Sequence, residues 1–103
     1  YIETEQSLCF SSWTTPCELA LRWFGAGPGD DVLLPAMTYA ATANIVLHCG
    51  ARPVLVDVDS IERVVTLEKL KAAWAPMTKV VMPVDLAGWP FHYEGISSWL
   101  KSE

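Results

Sequence analysis

Short apolar runs alternate four times with stretches of helical spacing along these 103 residues. Leu8 to Ser11 reads as a first strand. Thr15-Pro16-Cys17-Glu18 has the form of a capping box, with proline at the first helical position and the acid three residues after the cap. Leu19, Trp23 and Phe24 give the helix that follows an apolar face, and Gly25 to Asp30 stops it. Asp31 to Leu34 is a second strand, and the helical run Tyr39 to Cys49 ends at Gly50. Pro53 to Val58 is a third strand, whose Val54-Leu55-Val56 predicts burial on both faces. Thr66 caps a third helix carrying Leu67, Leu70 and Trp74, and Pro76 ends it. Lys79 to Leu86 is a fourth strand, and a last helix from about Tyr93 to Lys101 puts Ile96, Trp99 and Leu100 on one side. This alternation predicts an α/β fold: three layers, α/β/α, around a mostly parallel sheet of about four strands. No linker or low-complexity stretch divides the chain, so residues 1–103 form one unit.

The stretch Pro35 to Asn44 joins the second strand to the second helix. Such a turn delivers side chains to the C-terminal edge of a parallel sheet, where amides and the helix dipole favour an anion. Tyr39 stands at that edge, where its ring stacks on a flat ligand or half-buries at a helix start.

Composition excludes several classes. The net charge is -5, and the seven Lys and Arg are dispersed, which argues against nucleic acid. The apolar runs are far too short for a membrane span. Tyr1 to Glu5 is mixed and acidic, unlike a secretory leader. Cys9, Cys17 and Cys49 have no metal-ligand spacing and read as small buried thiols, which suits the cytoplasm. Asp57, Asp59 and Asp85 fall at strand ends, where acids cap loops more often than they hold a metal, and no metal site is assigned. His48 reads as a helix-dipole partner, and His92 as exposed. Apolar residues make up 51% and five residues are Trp, more than a core this small easily hides, so a covering partner or second copy is expected.

The motifs as a set resemble a known family. Gly27-Pro28-Gly29-Asp30-Asp31-Val32-Leu33-Leu34-Pro35, Thr38-Tyr39, Ala41-Thr42-Ala43-Asn44, Gly50 to Asp59 and Pro76 to Val80 closely resemble the DegT/DnrJ/StrS-type aminotransferases. The resemblance implies the aspartate-aminotransferase fold, pyridoxal phosphate (PLP) as cofactor, and transfer of an amine from a donor such as glutamate to a keto sugar on a nucleotide. By position, Ser12, Trp13 and Thr14 fall in the turn that holds the cofactor phosphate, and Tyr39 matches the aromatic that stacks on the pyridine ring. Asp85 stands where many members have His. Trp13 replaces a glycine, and its indole either crowds the phosphate turn or points away; Pro16 and Glu18 also depart from the family pattern.

None of Lys69, Lys71, Lys79 and Lys101 matches the motif of the catalytic lysine, so no catalytic residue is assigned. The resemblance then implies the N-terminal part of a large domain, inactive alone. The alternative is a non-catalytic α/β module for binding or assembly. In the family's sheet the third run pairs with the second and the second with the fourth. The first run is left to close onto the fourth or to exchange with a second copy, giving a homo-oligomer.

Overall fold

In the computed structural model, which describes residues 5–102, Asp31–Pro35 forms a strand, β1, buried along its whole length. A second strand, β2 (Arg52–Val56), pairs with one side of it and a third, β3 (Thr78–Val81), with the other, both parallel. The order is β2-β1-β3, the pairing expected of the third, second and fourth runs. Side chains alternate across a strand. Val32 and Leu34 therefore enter one core with Leu21, Ile45 and Val46, from helices α1 (Thr14–Trp23) and α2 (Ala41–His48). Leu33 enters the opposite core with Leu70 and Ile96, from helices α3 (Leu67–Ala73) and α4 (Tyr93–Leu100). The result is the three-layer α/β/α arrangement. Trp74 and Trp99 fill the second core edge to face, their centroids 5.0 Å apart.

Residues 1–4 and 103 lie outside the described residues, and with them most of the Tyr1 to Glu5 stretch. Four expectations are corrected. First, Leu8 to Ser11 is not a strand, so the sheet has three strands instead of about four. Leu8 is 84% exposed, and the segment does not reach the open edge of β3. Without a ladder or burial, an apolar run has nothing to hold it extended. Second, the capping box does not form. The helical ladder starts earlier, with the Cys17 amide donating to the Trp13 carbonyl, and Trp13 caps without a side-chain hydrogen bond. Third, β2 is an edge strand, with Leu55 61% exposed; the strand buried on both faces is β1. Fourth, the fourth run is shorter than expected: β3 ends at Val81, and the Met82 amide makes a further bond to β1, donating to the Leu33 carbonyl at 2.8 Å, before the chain turns into the loop that holds Pro83.

Other boundaries follow their chemistry. Thr66 caps α3 by accepting from the Lys69 amide at 3.4 Å. Gly50 ends the α2 turn at φ 77°, and a Cβ there would meet Pro28 Cγ at 3.2 Å. Cys49 is buried and Cys17 half-buried, where burial pushes its thiol pKa up, but Cys9 is exposed and does not fit the buried-thiol reading.

Two carboxylates tie neighbouring elements together. Asp31, buried at the start of β1, accepts two hydrogen bonds from the Arg52 guanidinium at 2.7 and 2.6 Å across the β1–β2 register pair. Arg52 thereby holds the Asp31 carboxyl below its ordinary range. Glu18 accepts from Arg22 on its own helix at 2.8 Å and lies 3.2 Å from His48 Nδ1 on α2, which together lower its pKa. A carboxylate with a depressed folded pKa contributes stability that is complete above its unfolded value, about 4. That stability is lost as pH falls through the folded value. The urea midpoint is therefore expected to hold from pH 7 to about 5 and to fall below about 4 as these groups protonate. In Arg52→Met the acid-side fall is expected to be shallower; an unchanged acid limb would remove the Asp31 pair from the account.

Candidate functional site

A cavity of about 540 Å³ opens at the C-terminal ends of β1 and β3. The β1–α2 turn contributes Thr38, Tyr39 and Thr42; the segment after β3 contributes a wall from Pro83 to Phe91; the start of α1 contributes Trp13. The buried Thr42 fixes the first wall: its amide donates to the Tyr39 carbonyl at 2.9 Å, and its hydroxyl lies 2.9 Å from that of Thr38. This leaves the Tyr39 side chain 81% exposed at the mouth.

The second wall is held by Asp85. Its Oδ1 accepts from the Phe91 amide at 3.1 Å, closing a loop around the 3-10 turn Leu86–Gly88. Within that turn Ala87 sits at φ 54°, a left-handed conformation that strains a residue with a Cβ. Strain of this kind persists only where the surroundings over-determine it. Among the described residues Asp85 is the one charged group on the lining, and none of the four lysines lines it. The cavity is thus aromatic at three places, mostly apolar and anionic at one point.

The four residues singled out by sequence are placed differently. Trp13 and Tyr39 line the same cavity. Trp13 is also 46% exposed, at the start of α1. Its backbone, at φ -64° and ψ -29°, is ordinary helix, so the chain path here does not depend on a glycine. Thr14 faces a separate groove beside Thr15, Glu18 and Arg22, and Ser12 is exposed on the approach to α1. The amides of Thr14 and Thr15 open the helix and have no partner in its ladder. Sequence reasoning missed Phe91 as part of the wall. The signal was the cluster Gly88, Pro90 after an apolar strand, which marks a strand-end loop without saying where it folds.

The strand-end acids are engaged separately. Asp57 lies 3.4 Å from Lys69 Nζ, and Asp59 accepts from the amides of Ile61 and Glu62, which lowers its pKa. Among the described residues no three His, Cys, Asp or Glu gather as a metal site, and no helix is long and apolar enough to cross a membrane. His48 faces Glu18 from the end of α2, and His92 is largely exposed, 3.3 Å from Glu62.

The family model for the DegT/DnrJ/EryC1/StrS aminotransferases matches residues 1–101. The chain belongs to this family. It is 44% identical over 88 residues to GDP-perosamine synthase of Caulobacter vibrioides, covering 85% of this chain and 24% of that protein. It is 45% identical over 86 residues to UDP-N-acetyl-3-dehydro-alpha-D-glucosamine 3-aminotransferase of Acidithiobacillus ferrooxidans, covering 84% and 23%. Among solved structures it is similar to Spr1654 of Streptococcus pneumoniae, assigned as a sugar aminotransferase. The PLP and PMP forms each give a TM-score of 0.88 at 39% identity, over 95% of this chain and 25% of that one. The chain thus spans about a quarter of the length of these relatives. The family's fold and the α/β architecture agree.

The Asp85 brace can be tested directly. Asp85→Ala is expected to lower the unfolding free energy by about 1 kcal/mol, the worth of one such hydrogen bond. It should also speed amide exchange at Phe91. Asp85→Asn, which keeps an acceptor, is expected to retain most of the protection. Equal exchange in all three proteins would show that Asp85 does not hold the loop.

Proposed function

We propose that this chain forms the cofactor-ring side of the active site in a PLP-dependent aminotransferase acting on a keto sugar linked to a nucleotide. The observation that carries the reading is the cavity at the ends of β1 and β3, with Tyr39 at its mouth and Trp13 in its lining. Its size and aromatic walls fit a flat pyridine ring. The open amides of Thr14 and Thr15 at the start of α1, with the Thr14 hydroxyl and the adjoining Ser12 and Trp13, fit the phosphate end. When bound, PLP supplies the electron sink through which an amine is exchanged for a carbonyl. The chain's own residues orient it: Tyr39 covers the ring, and Thr42 fixes Tyr39.

The lysines support a division of labour. Lys69 Nζ donates to the Val58 carbonyl at 2.6 Å, Lys71 lies over the Trp99 ring, and Lys79 and Lys101 line other grooves. None lines the cavity, which supports the reading that the lysine anchoring the cofactor comes from outside these residues and that the chain alone does not transaminate. The amine donor and the nucleotide sugar are partners of the complete enzyme. The unpaired cysteines suit the cytoplasm, and exposed Trp23 and Phe24 suit a covered, oligomeric surface.

A PLP titration followed by absorbance is expected to show saturable binding to the chain. Tyr39→Ala should weaken it by about two- to tenfold, the range for loss of one stacking contact. No saturable binding, or binding indifferent to Tyr39→Ala, would contradict the assignment.

A further inference from the structure

The cavity at the ends of β1 and β3 carries a single charge among the described residues, that of Asp85. No Lys, Arg or His shares the lining to neutralise it. Three aromatic residues do share it: Trp13, Tyr39 and Phe91. We propose that Asp85 is a specificity-determining residue, whose carboxylate makes this cavity favour a ligand bearing an ammonium group over the same ligand with a neutral group in its place. The inference rests on the reading of the cavity as the cofactor-ring side of an aminotransferase site. It goes further by assigning the residue that tells the amine form of a ligand from its neutral counterpart.

Three observations carry it. First, the carboxylate has an oxygen to spare. Oδ1 accepts from the Phe91 amide at 3.1 Å, whereas Oδ2 takes part in no hydrogen bond or ion pair among the described residues. An ionised carboxylate only accepts, and its strongest partners are charged N–H donors. Second, the carboxylate is held in place. Its bond to Phe91 spans the turn Leu86–Gly88, and the Gly88 amide donates to the Asp85 carbonyl at 3.1 Å. Phe91 in turn meets the Tyr93 ring edge to face, with centroids 5.9 Å apart. A group fixed beforehand loses little freedom on pairing with a ligand. Third, the aromatic residues act in the same direction. The face of an aromatic ring is negative and attracts an organic cation. A hydroxyl at the same point gains neither the charge pair nor the ring attraction. Neighbouring basic groups are placed elsewhere. His92 lies 3.3 Å from Glu62, Lys69 is taken by Asp57 and the Val58 carbonyl, and Arg63 lines a separate groove beyond the Leu86–Gly88 turn. Asp85 is exposed to water, so the preference is expected to be of modest size.

The test compares matched pairs of ligands in NMR titrations of the chain, read at the amides of residues 84–88 and of Phe91. Pyridoxamine 5′-phosphate is set against pyridoxine 5′-phosphate, which has a hydroxyl in place of the amine and forms no Schiff base with surface lysines. Benzylamine is set against benzyl alcohol, the same change without a phosphate. The amine of each pair is expected to bind about two- to fivefold more tightly, the range for an exposed charge pair. Asp85→Asn removes the charge and keeps an acceptor for the Phe91 amide, so it should bring each ratio to about one. Continued exchange protection at Phe91 in this variant shows that the wall is intact. The ratio in the unmodified chain should also fall towards one at about 1 M salt, a readout that needs no variant. A ratio near one in the unmodified chain, or one indifferent to salt or to Asp85→Asn, overturns the proposal. The two readings fail differently. Phosphates that bind equally well and depend on Tyr39 refute the role of Asp85 and leave the cofactor site standing. Phosphates that do not bind, beside a benzyl pair whose ratio depends on Asp85, support the ammonium preference and refute the cofactor assignment. Saturable binding by none of these compounds contradicts both.

Discussion

Complete burial of β1 is the constraint on which the other elements depend. Its five residues have a strand on each side and a helical layer on each face. Every peptide group in it must then be satisfied by a ladder, because water cannot reach it. β2 and β3 supply those ladders, and the register is pinned at one end by the Asp31–Arg52 pair. Lys79 is passed over in the β1–β3 register, a local irregularity that shifts β3 by one residue. The C-terminal end of β1 is where the chain must turn, and that turn places Tyr39. The site's position is thus a consequence of the sheet's.

Much of this was legible in the sequence. An unbroken Val-Leu-Leu run between a glycine-rich stop and a proline reads as a strand, though nothing in the run itself says that it is the central one. Thr66 reads as a cap because its hydroxyl can reach the third amide of α3, and it does. Family motifs carried the order of the strands. The misreadings have a common cause: local pattern does not report what lies alongside. Leu8 to Ser11 has strand composition, but no neighbour makes it a strand. Glu18 has the spacing of a capping box, yet Arg22 and His48 offer it hydrogen-bond partners on the helix flank. Leu55 sits in an apolar run, yet its strand is at an edge.

The site was legible in part. Tyr39 follows from strand-to-helix geometry, which is local. That Trp13 lines the same cavity depends on how α1 packs across α2, which no local spacing encodes. Phe91 is brought in by a hydrogen bond spanning six residues to Asp85, a contact that composition cannot announce. Trp23, 85% exposed, and Phe24, 64% exposed, leave apolar area on the flank of α1 that the packing of the described residues does not use.

Native-state hydrogen exchange, read residue by residue, tests the central claim that a three-stranded sheet centred on β1 stands without the first apolar run. The amides of Leu33 and Leu34 are expected to exchange only through global unfolding, with those of β2 and β3 close behind. The amides of residues 8–11 are expected to exchange at nearly unprotected rates. Protection over 8–11 comparable with that of β1 would mean that the first run is a strand after all, and that the sheet and the site at its edge are built differently.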